Sequence, residues 1–303
     1  MRKQSLVASA CAFASLSFAL PALAQSEPEK PYTLTGHVDV VSKYILRGAS
    51  TTYGNVTPGL GNEGADAPES DRAAFQWGAD FVHNSGFYAG YWASTINYSY
   101  KALGNSYDAY VNGTPFPSSY QKDRSVENDF YAGYTGSFAG DFTYTAGLTG
   151  YVYYNGEHAN AFETKFGLAW KTLSFNAQTL LNDTVWGNRG DTYWTLNYSH
   201  ALPWNLNLTA SLGAYTYTKE GKYLGTTDAA TGGACAPGTA FVVNGCYAGN
   251  APVGSGFRHL IVGVTQGIGS TGVTWGVQGL IGGDNRYGIH QENRVVFSLA
   301  YGF

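Results

Sequence analysis

The sequence predicts an all-β chain closed into an antiparallel transmembrane β-barrel of about 12 strands, and three observations carry that prediction. Polar and apolar residues alternate with period two along most of the chain. Only 13% of the 303 residues are charged, whereas 16% are aromatic, and 40 glycines and 24 tyrosines are present. The connections between alternating segments are short and long by turns. Period two sends successive side chains to opposite faces of a strand, which a helix cannot do. Globular domains carry roughly 25% charged residues, so this chain has about half the usual complement. Tyr, Thr, Gly and Asn abound where helices would call for Met, Glu and Lys. That excludes a helical bundle or a helix-rich α/β enzyme, and the aromatic content excludes disorder.

The first element is not part of the barrel. Arg2 and Lys3 precede an apolar run from Leu6 to Leu20, followed by Pro21-Ala22-Leu23-Ala24-Gln25. This is the pattern of a secretory signal peptide with an A-x-A site, assigned to residues 1–24, with the barrel over 25–303. The run is too short for a membrane-spanning helix, and Cys11 lies too early for a lipoprotein cysteine. Loss of Arg2 and Lys3 takes the formal net charge from −4 to −6, so no field suited to nucleic acid is implied.

From Tyr32 to Arg47, Tyr32, Leu34, Gly36, Val38, Val40, Ser42, Tyr44 and Leu46 oppose a second face that holds nearly every polar group. Phe75, Trp77, Ala79 and Phe81 oppose Gln76, Gly78 and Asp80. Val126, Phe130, Ala132, Tyr134 and Phe138 oppose Glu127, Asp129, Tyr131, Thr135 and Ser137. Phe142, Tyr144, Ala146, Leu148, Val152 and Tyr154 oppose Thr143, Thr145, Gly147 and Thr149. Leu206 to Ala214 and Val295 to Phe303 repeat the pattern. The predicted strands are 32–47, 73–83, 86–98, 125–138, 142–154, 161–170, 173–183, 191–202, 206–218, 257–268, 272–282 and 291–303.

Tight turns fall at Asn84-Ser85, Ala139-Gly140-Asp141, Lys171-Thr172, Pro203-Trp204-Asn205 and Gly269-Ser270-Thr271. Longer polar connections cover 48–72, 99–124, 155–160, 184–190, 219–256 and 283–290. A soluble sandwich has no reason to sort its loops in this way. A bacterial outer-membrane barrel does, with short periplasmic turns and long extracellular loops. Aromatics gather near the short turns, at Tyr32, Phe81, Phe87, Phe138, Phe142, Trp170, Phe175, Trp204, Tyr301 and Phe303, as an interfacial girdle would.

Cys235 and Cys246 bracket a short Gly/Pro-containing segment in a chain bound for an oxidising compartment. They are read as a disulfide, with two free thiols as the alternative. No His lies near them at zinc-ligand spacing.

The segments TGHVDVVSKYILRG, WGADFVHNSGFYAGYWAS, ENDFYAGYTGSFAGDFTYTAGL and RVVFSLAYGF resemble the TorF-like porin family of proteobacteria. The similarity runs along nearly the whole mature chain and is most specific at Ser85 to Gly90 and Trp92-Ala93-Ser94. Lys43 stands where the family's first-strand motif is acidic, and the loops around 104–122 and 221–256 are enlarged. The resemblance implies an outer-membrane channel and no particular substrate.

Eleven inward positions carry charge: Asp39, Lys43, Arg47, Asp80, Glu127, Asp129, Glu163, Lys165, Arg258, Glu292 and Arg294. Cations on strands 1, 10 and 12 would face acids on strands 2, 4 and 6. Two arrangements fit, a transverse field across the pore or local pairing such as Arg47 with Glu292 across the seam. The rest of the inner face is neutral and polar, for example Thr143, Asn176, Thr209 and Gln278. Phe297, Leu299, Tyr301 and Phe303 match the C-terminal signal read by the barrel-assembly machinery, and equally a last lipid-facing strand. Loops 99–124 and 219–256 are long enough to enter the pore or to stay outside its mouth.

The expectation is a passive porin in the bacterial outer membrane for small hydrophilic solutes, without cofactor or metal. Its partners are outer-membrane lipids and, during insertion, the assembly machinery. The alternative is a non-conducting barrel that serves as an anchor or adhesin through its loops. No catalysis is read. Ser199 and His200 point to opposite faces, and no serine accompanies His37 and Asp39.

Overall fold

The computed structural model describes residues 30–50, 68–97, 124–222 and 254–303 apart from positions 155, 157, 185, 287 and 289, with short isolated pieces at 12–13, 15–16, 109–111, 114–116, 225 and 233–234. Cys235, Cys246, most of residues 1–24 and most of loops 99–124 and 219–256 lie outside the described residues.

Among the described residues, 12 strands close into one barrel. They are β1 (Tyr32–Val41), β2 (Ala74–His83), β3 (Phe87–Ile96), β4 (Ser125–Phe138), β5 (Phe142–Tyr153) and β6 (Ala161–Trp170). The second half comprises β7 (Leu173–Leu180), β8 (Thr192–Ala201), β9 (Leu206–Thr216), β10 (Ser255–Gly267), β11 (Val273–Gly282) and β12 (Arg294–Gly302). Each strand pairs antiparallel with its neighbours in sequence, and β12 returns to β1 with Ser298 opposite Val41 and Gly302 opposite His37. The seam is completed by Gly36 and Phe303, which exchange backbone bonds of 2.8 and 2.9 Å. Closure leaves no edge strand in the barrel, as is needed wherever water is absent.

Short connections are tight because the chain adopts left-handed backbone there, at Ala139-Gly140, Lys171 and Trp204-Asn205. Gly86 shows the constraint most plainly. Its φ is 99°, and a Cβ would lie 2.1 Å from the Thr135 carbonyl oxygen, so only glycine fits.

The two faces are inverted relative to a soluble protein. Phe130, Phe162, Phe166 and Phe297 point outward at 55–60% exposure, whereas Gln76, Glu127 and Glu163 point inward at 0–1%. Burying polar groups and exposing large apolar ones is costly in water. At the short-turn end the outward rings touch one another. Tyr32–Phe81, Phe138–Phe142 and Phe142–Trp170 have centroids 5.5–6.0 Å apart. At the long-loop end the interior holds a cluster of Tyr44, Trp92, Tyr131, Tyr151, Tyr153 and Leu180.

The observed strands match the expected ones within a few residues, and β4 and β6 coincide with them. The largest departure is β1, expected to reach Arg47 and observed to end at Val41. Residues 43–50 leave the wall. Tyr44 and Ser70 bond each other through their backbones at 3.0 and 3.1 Å, and Leu46–Gly48 form a tight 3₁₀ turn with φ of 49° at Arg47 and 77° at Gly48. A left-handed pair cannot continue a pleated strand. β12 likewise begins at Arg294 instead of 291, because Gln291 and Glu292 turn to meet the departing segment.

Candidate functional site: a strap across the barrel interior

In a cycle of 12 strands, β6 and β8 stand on the wall opposite β1. The segment leaving β1 reaches that wall. Arg47 donates to Glu163 of β6 through both terminal nitrogens, at 2.8 and 2.5 Å, and to the hydroxyls of Tyr215 (β9) and Tyr151 (β5), each at 3.0 Å. Its guanidinium lies 4.8 Å from the Tyr193 ring centroid on β8. Gly48 then packs against β10, where a Cβ would come within 2.9 Å of the His259 Cβ. Arg258 Nε donates to the Arg47 carbonyl at 2.9 Å. Ser50 returns the chain towards β12, with its N–H bonded to Gln291 at 2.9 Å and its hydroxyl to the Glu292 carbonyl at 2.6 Å. Residues 44–50 are therefore a strap across the interior. All their contacts fall within a few residues of the strand ends that meet the long loops.

A strap cannot join the barrel's backbone ladder, so side chains must hold it. Bidentate Arg–carboxylate contact is the strongest and most directional choice. Glu163 is further fixed by the Tyr151 hydroxyl at 2.8 Å. A second ion pair lies at the same end. Arg286 meets Asp191 and lies over the Tyr217 ring at 4.9 Å, while Asp191 accepts the N–H groups of Asn188 and Thr218 at 2.7 and 2.8 Å.

The charged residues read from the sequence divide among these arrangements. Asp39 accepts from His37 at 2.6 Å and Asp80 accepts the Tyr131 hydroxyl at 2.5 Å. Lys43 donates to the Asp71 carbonyl at 2.9 Å. Glu127 accepts the Tyr153 hydroxyl at 3.1 Å, and Asp129 is buried two residues further along β4. Lys165 lies inside β6, opposite Gln178 and Gly147. Arg47 is not paired with Glu292 across the seam. Its partner is Glu163, and Glu292 pairs with Arg294. The physical reason is the strap, which carries Arg47 out of β1 and across the interior. Phe297, Leu299, Tyr301 and Phe303 all face outward along or just beyond β12.

Sequence reading missed the tyrosines that complete the site and the Asp191–Arg286 pair. Tyr151 and Tyr153 lie in the same alternating phase as Thr145 and Thr149, so the signal was present. Asp191 falls at an expected strand start and Arg286 in an expected loop, and no sequence pattern joins residues 95 apart.

His37 bonds Asp39, and His83 Nδ1 meets Ser85 at 2.8 Å within a tight turn that also ties the Ser85 N–H to that same nitrogen. No group of three His, Cys, Asp or Glu side chains is arranged for a metal ion among the described residues.

Fold and site together define a closed antiparallel barrel with an apolar exterior, a polar interior and a chain segment strapped across one end. A family model described as a bacterial protein of unknown function (Gcw_chp) matches residues 63–258. The chain belongs to that family. No curated protein matches it. Among solved structures it is similar to the NanC porin at 8% identity and a TM-score of 0.43, covering 89% of this chain and 99% of that one. It is similar to Salmonella typhi OmpF in complex with daunomycin at 12% identity and 0.38, with coverage of 90% and 97%. It is also similar to outer membrane phospholipase A from Escherichia coli at 14% identity and 0.38, with coverage of 88% and 95%. These are likenesses only, and none transfers an activity.

Proposed function

We propose that the protein is an outer-membrane porin of the TorF-like type, a passive diffusion channel for small hydrophilic solutes. The observation that carries this reading is the inversion of the two faces. Large apolar side chains cover the outside of a closed barrel, and Thr, Ser, Asn and Gln line the inside towards the short turns. A continuous apolar exterior suits lipid, and an inward polar face suits water. The aromatic contacts at the short-turn end suit the membrane interface. On this reading residues 1–24 are a cleaved export signal and the short turns face the periplasm. The terminal Phe297, Leu299, Tyr301 and Phe303 face is read during assembly, and Cys235 and Cys246 close a disulfide in an outer loop.

Selection combines size with lumenal charge. Twelve strands spaced about 4.8 Å apart and tilted about 40° give a wall radius of about 12 Å. Side chains take about half of that, and the strap narrows one end further. Glu127, Asp129, Glu163, Lys165 and Arg258 surround the narrowed part. The strap also favours a second reading, a barrel too obstructed to conduct that serves as an anchor or adhesin. Single-channel recording of refolded residues 25–303 in a planar bilayer decides between them. Discrete current steps support the porin, and a folded barrel without steps supports the anchor.

A further inference from the structure

Two cations inside this barrel are held in the same way. Arg47 meets Glu163 and lies over Tyr193, and Arg286 meets Asp191 and lies over Tyr217. A carboxylate supplies the opposite charge, and a tyrosine face supplies the attraction of its ring quadrupole.

A third set of groups at the same end has the same parts. Glu127 and Asp129 project inward from β4 with 0% and 2% of their surface exposed. Trp92 stands directly opposite Asp129 in the β3–β4 register, and the Tyr44 ring packs edge-on against Trp92 at 5.4 Å. Neither carboxylate forms an ion pair with a Lys, Arg or His side chain among the described residues. Glu127 Oε2 and Asp129 Oδ1 accept no hydrogen bond from the protein. An independent group shares that condition. Gln76, 1% exposed, lies in one cross-strand row with Ser94 and Glu127. Its Nε2 donates to Ser94 at 3.3 Å, while its Oε1 has no protein partner. The unmet acceptors on this patch of wall thus come from three side chains, two of them charged, and the Trp92 Nε1 donor beside them is also without a protein partner. Buried acceptors of this kind call for a donor-rich, positively charged group.

We infer that Glu127 and Asp129, with Gln76 and the rings of Tyr44 and Trp92, bind a small organic cation through a primary ammonium or guanidinium group. This deepens the channel reading and rests on it for the solute's path into the lumen. An ammonium offers three N–H donors and a guanidinium five, enough for all three acceptors at once. Either group also exploits the ring faces, as Arg47 does on the far wall. A metal ion would leave the rings unused, and the described acidic residues do not gather into a metal-binding group.

The test is calorimetric titration of the folded, detergent-solubilised barrel with agmatine, and with 1,4-butanediol as a neutral analogue. The variants are E127Q, D129N, the double variant, and D141N at an exposed short turn as a control. Saturable agmatine binding that the double variant weakens tenfold or more, with D141N unchanged and butanediol silent, is the expected result. Absence of saturable binding by the wild-type barrel, or binding that the double variant leaves intact, overturns the inference. Heat-shifted gel mobility confirms that each variant is folded, and the single variants serve if the double one is not. Bilayer recording on the same samples separates the two readings. A conducting barrel that does not bind agmatine overturns the site alone, whereas a silent barrel that binds it upholds the site and overturns the channel.

Discussion

Cutting the strap loose tests the central geometry. Arg47 is held by two charge-assisted bonds to Glu163, two tyrosine hydroxyls and a ring face, with side-chain exposures of 9% and 1% for the ion pair. Removing one partner of such a buried pair costs about 3–5 kcal/mol, because the other charge is left without its counter-ion. The variant R47A should therefore lose about that much stability, and E163Q a similar amount. The double variant R47A/E163Q should lose less than the sum, with a coupling of about 2–3 kcal/mol. Conductance gives the second readout. A free interior about 6 Å in radius has a cross-section of about 110 Å², and one chain about 4.8 Å wide spanning about 12 Å covers about half of it. Releasing the strap should raise single-channel conductance about twofold, with R47K intermediate because it keeps the charge and loses the fork. Urea titration in lipid vesicles and bilayer recording measure the two effects. Additive single-variant losses together with wild-type conductance in folded R47A would refute the strap.

Three further perturbations follow from local geometry. G48A places a Cβ 2.9 Å from His259 Cβ at a φ of 77°; it should cost about 1–3 kcal/mol and raise conductance as R47A does, while G140A, with nothing near its Cβ, should keep the wild-type conductance. F166R puts a cation on the outward face in the middle of β6 and should cost about 2–4 kcal/mol in lipid vesicles, whereas T145R on the inward face of β5 should cost much less and lower conductance; equal costs would contradict the assignment of faces. D191N leaves Arg286 buried without its counter-ion and should destabilise the long-loop end, read as faster amide exchange at Asn188 and Thr218, with exchange in β4 and β5 unchanged.

Most of the wall was legible in the sequence, because a barrel immersed in lipid repeats one physical rule at every residue. Phe130 against Asp129 and Phe297 against Ser298 state that rule locally, and nothing distant alters it. Turn chemistry was legible for the same reason at Asn84-Ser85 and Lys171-Thr172. The strap was not legible, since Ser42, Tyr44 and Leu46 keep alternating with Lys43, Ile45 and Arg47 just as a strand would. The segment that leaves β1 is held by an ion pair between residues 116 apart in sequence, and a period-two pattern holds no information about partners across the lumen. The inward tyrosines differ: Tyr151 and Tyr193 share the phase of Thr149 and Thr195, so their direction is written in the sequence while their partners across the lumen are not.

The strap also bears on the choice between a transverse field and local pairing. Arg47, which the field would need as a free cation, is neutralised by Glu163, and Arg294 is neutralised by Glu292. Glu127 and Asp129 have no such counter-ion among the described residues, and Asp39 and Asp80 add acidic groups lower in the barrel. Lys43, Lys165 and Arg258 stand against these four acids once the Arg47–Glu163 and Arg294–Glu292 pairs are set aside, which leaves a small negative excess in keeping with the net charge of the whole chain. In a tenfold KCl gradient the channel should be cation-selective. E127Q/D129N should move the reversal potential towards zero, and R47A should move it further in the cation-selective direction by exposing Glu163. K43A should change little, because Lys43 is turned to the Asp71 carbonyl and not to the narrow part. An anion-selective wild type, or a reversal potential that follows Lys43 and ignores Glu127 and Asp129, would restore the field of free cations and remove the strap from the selectivity mechanism.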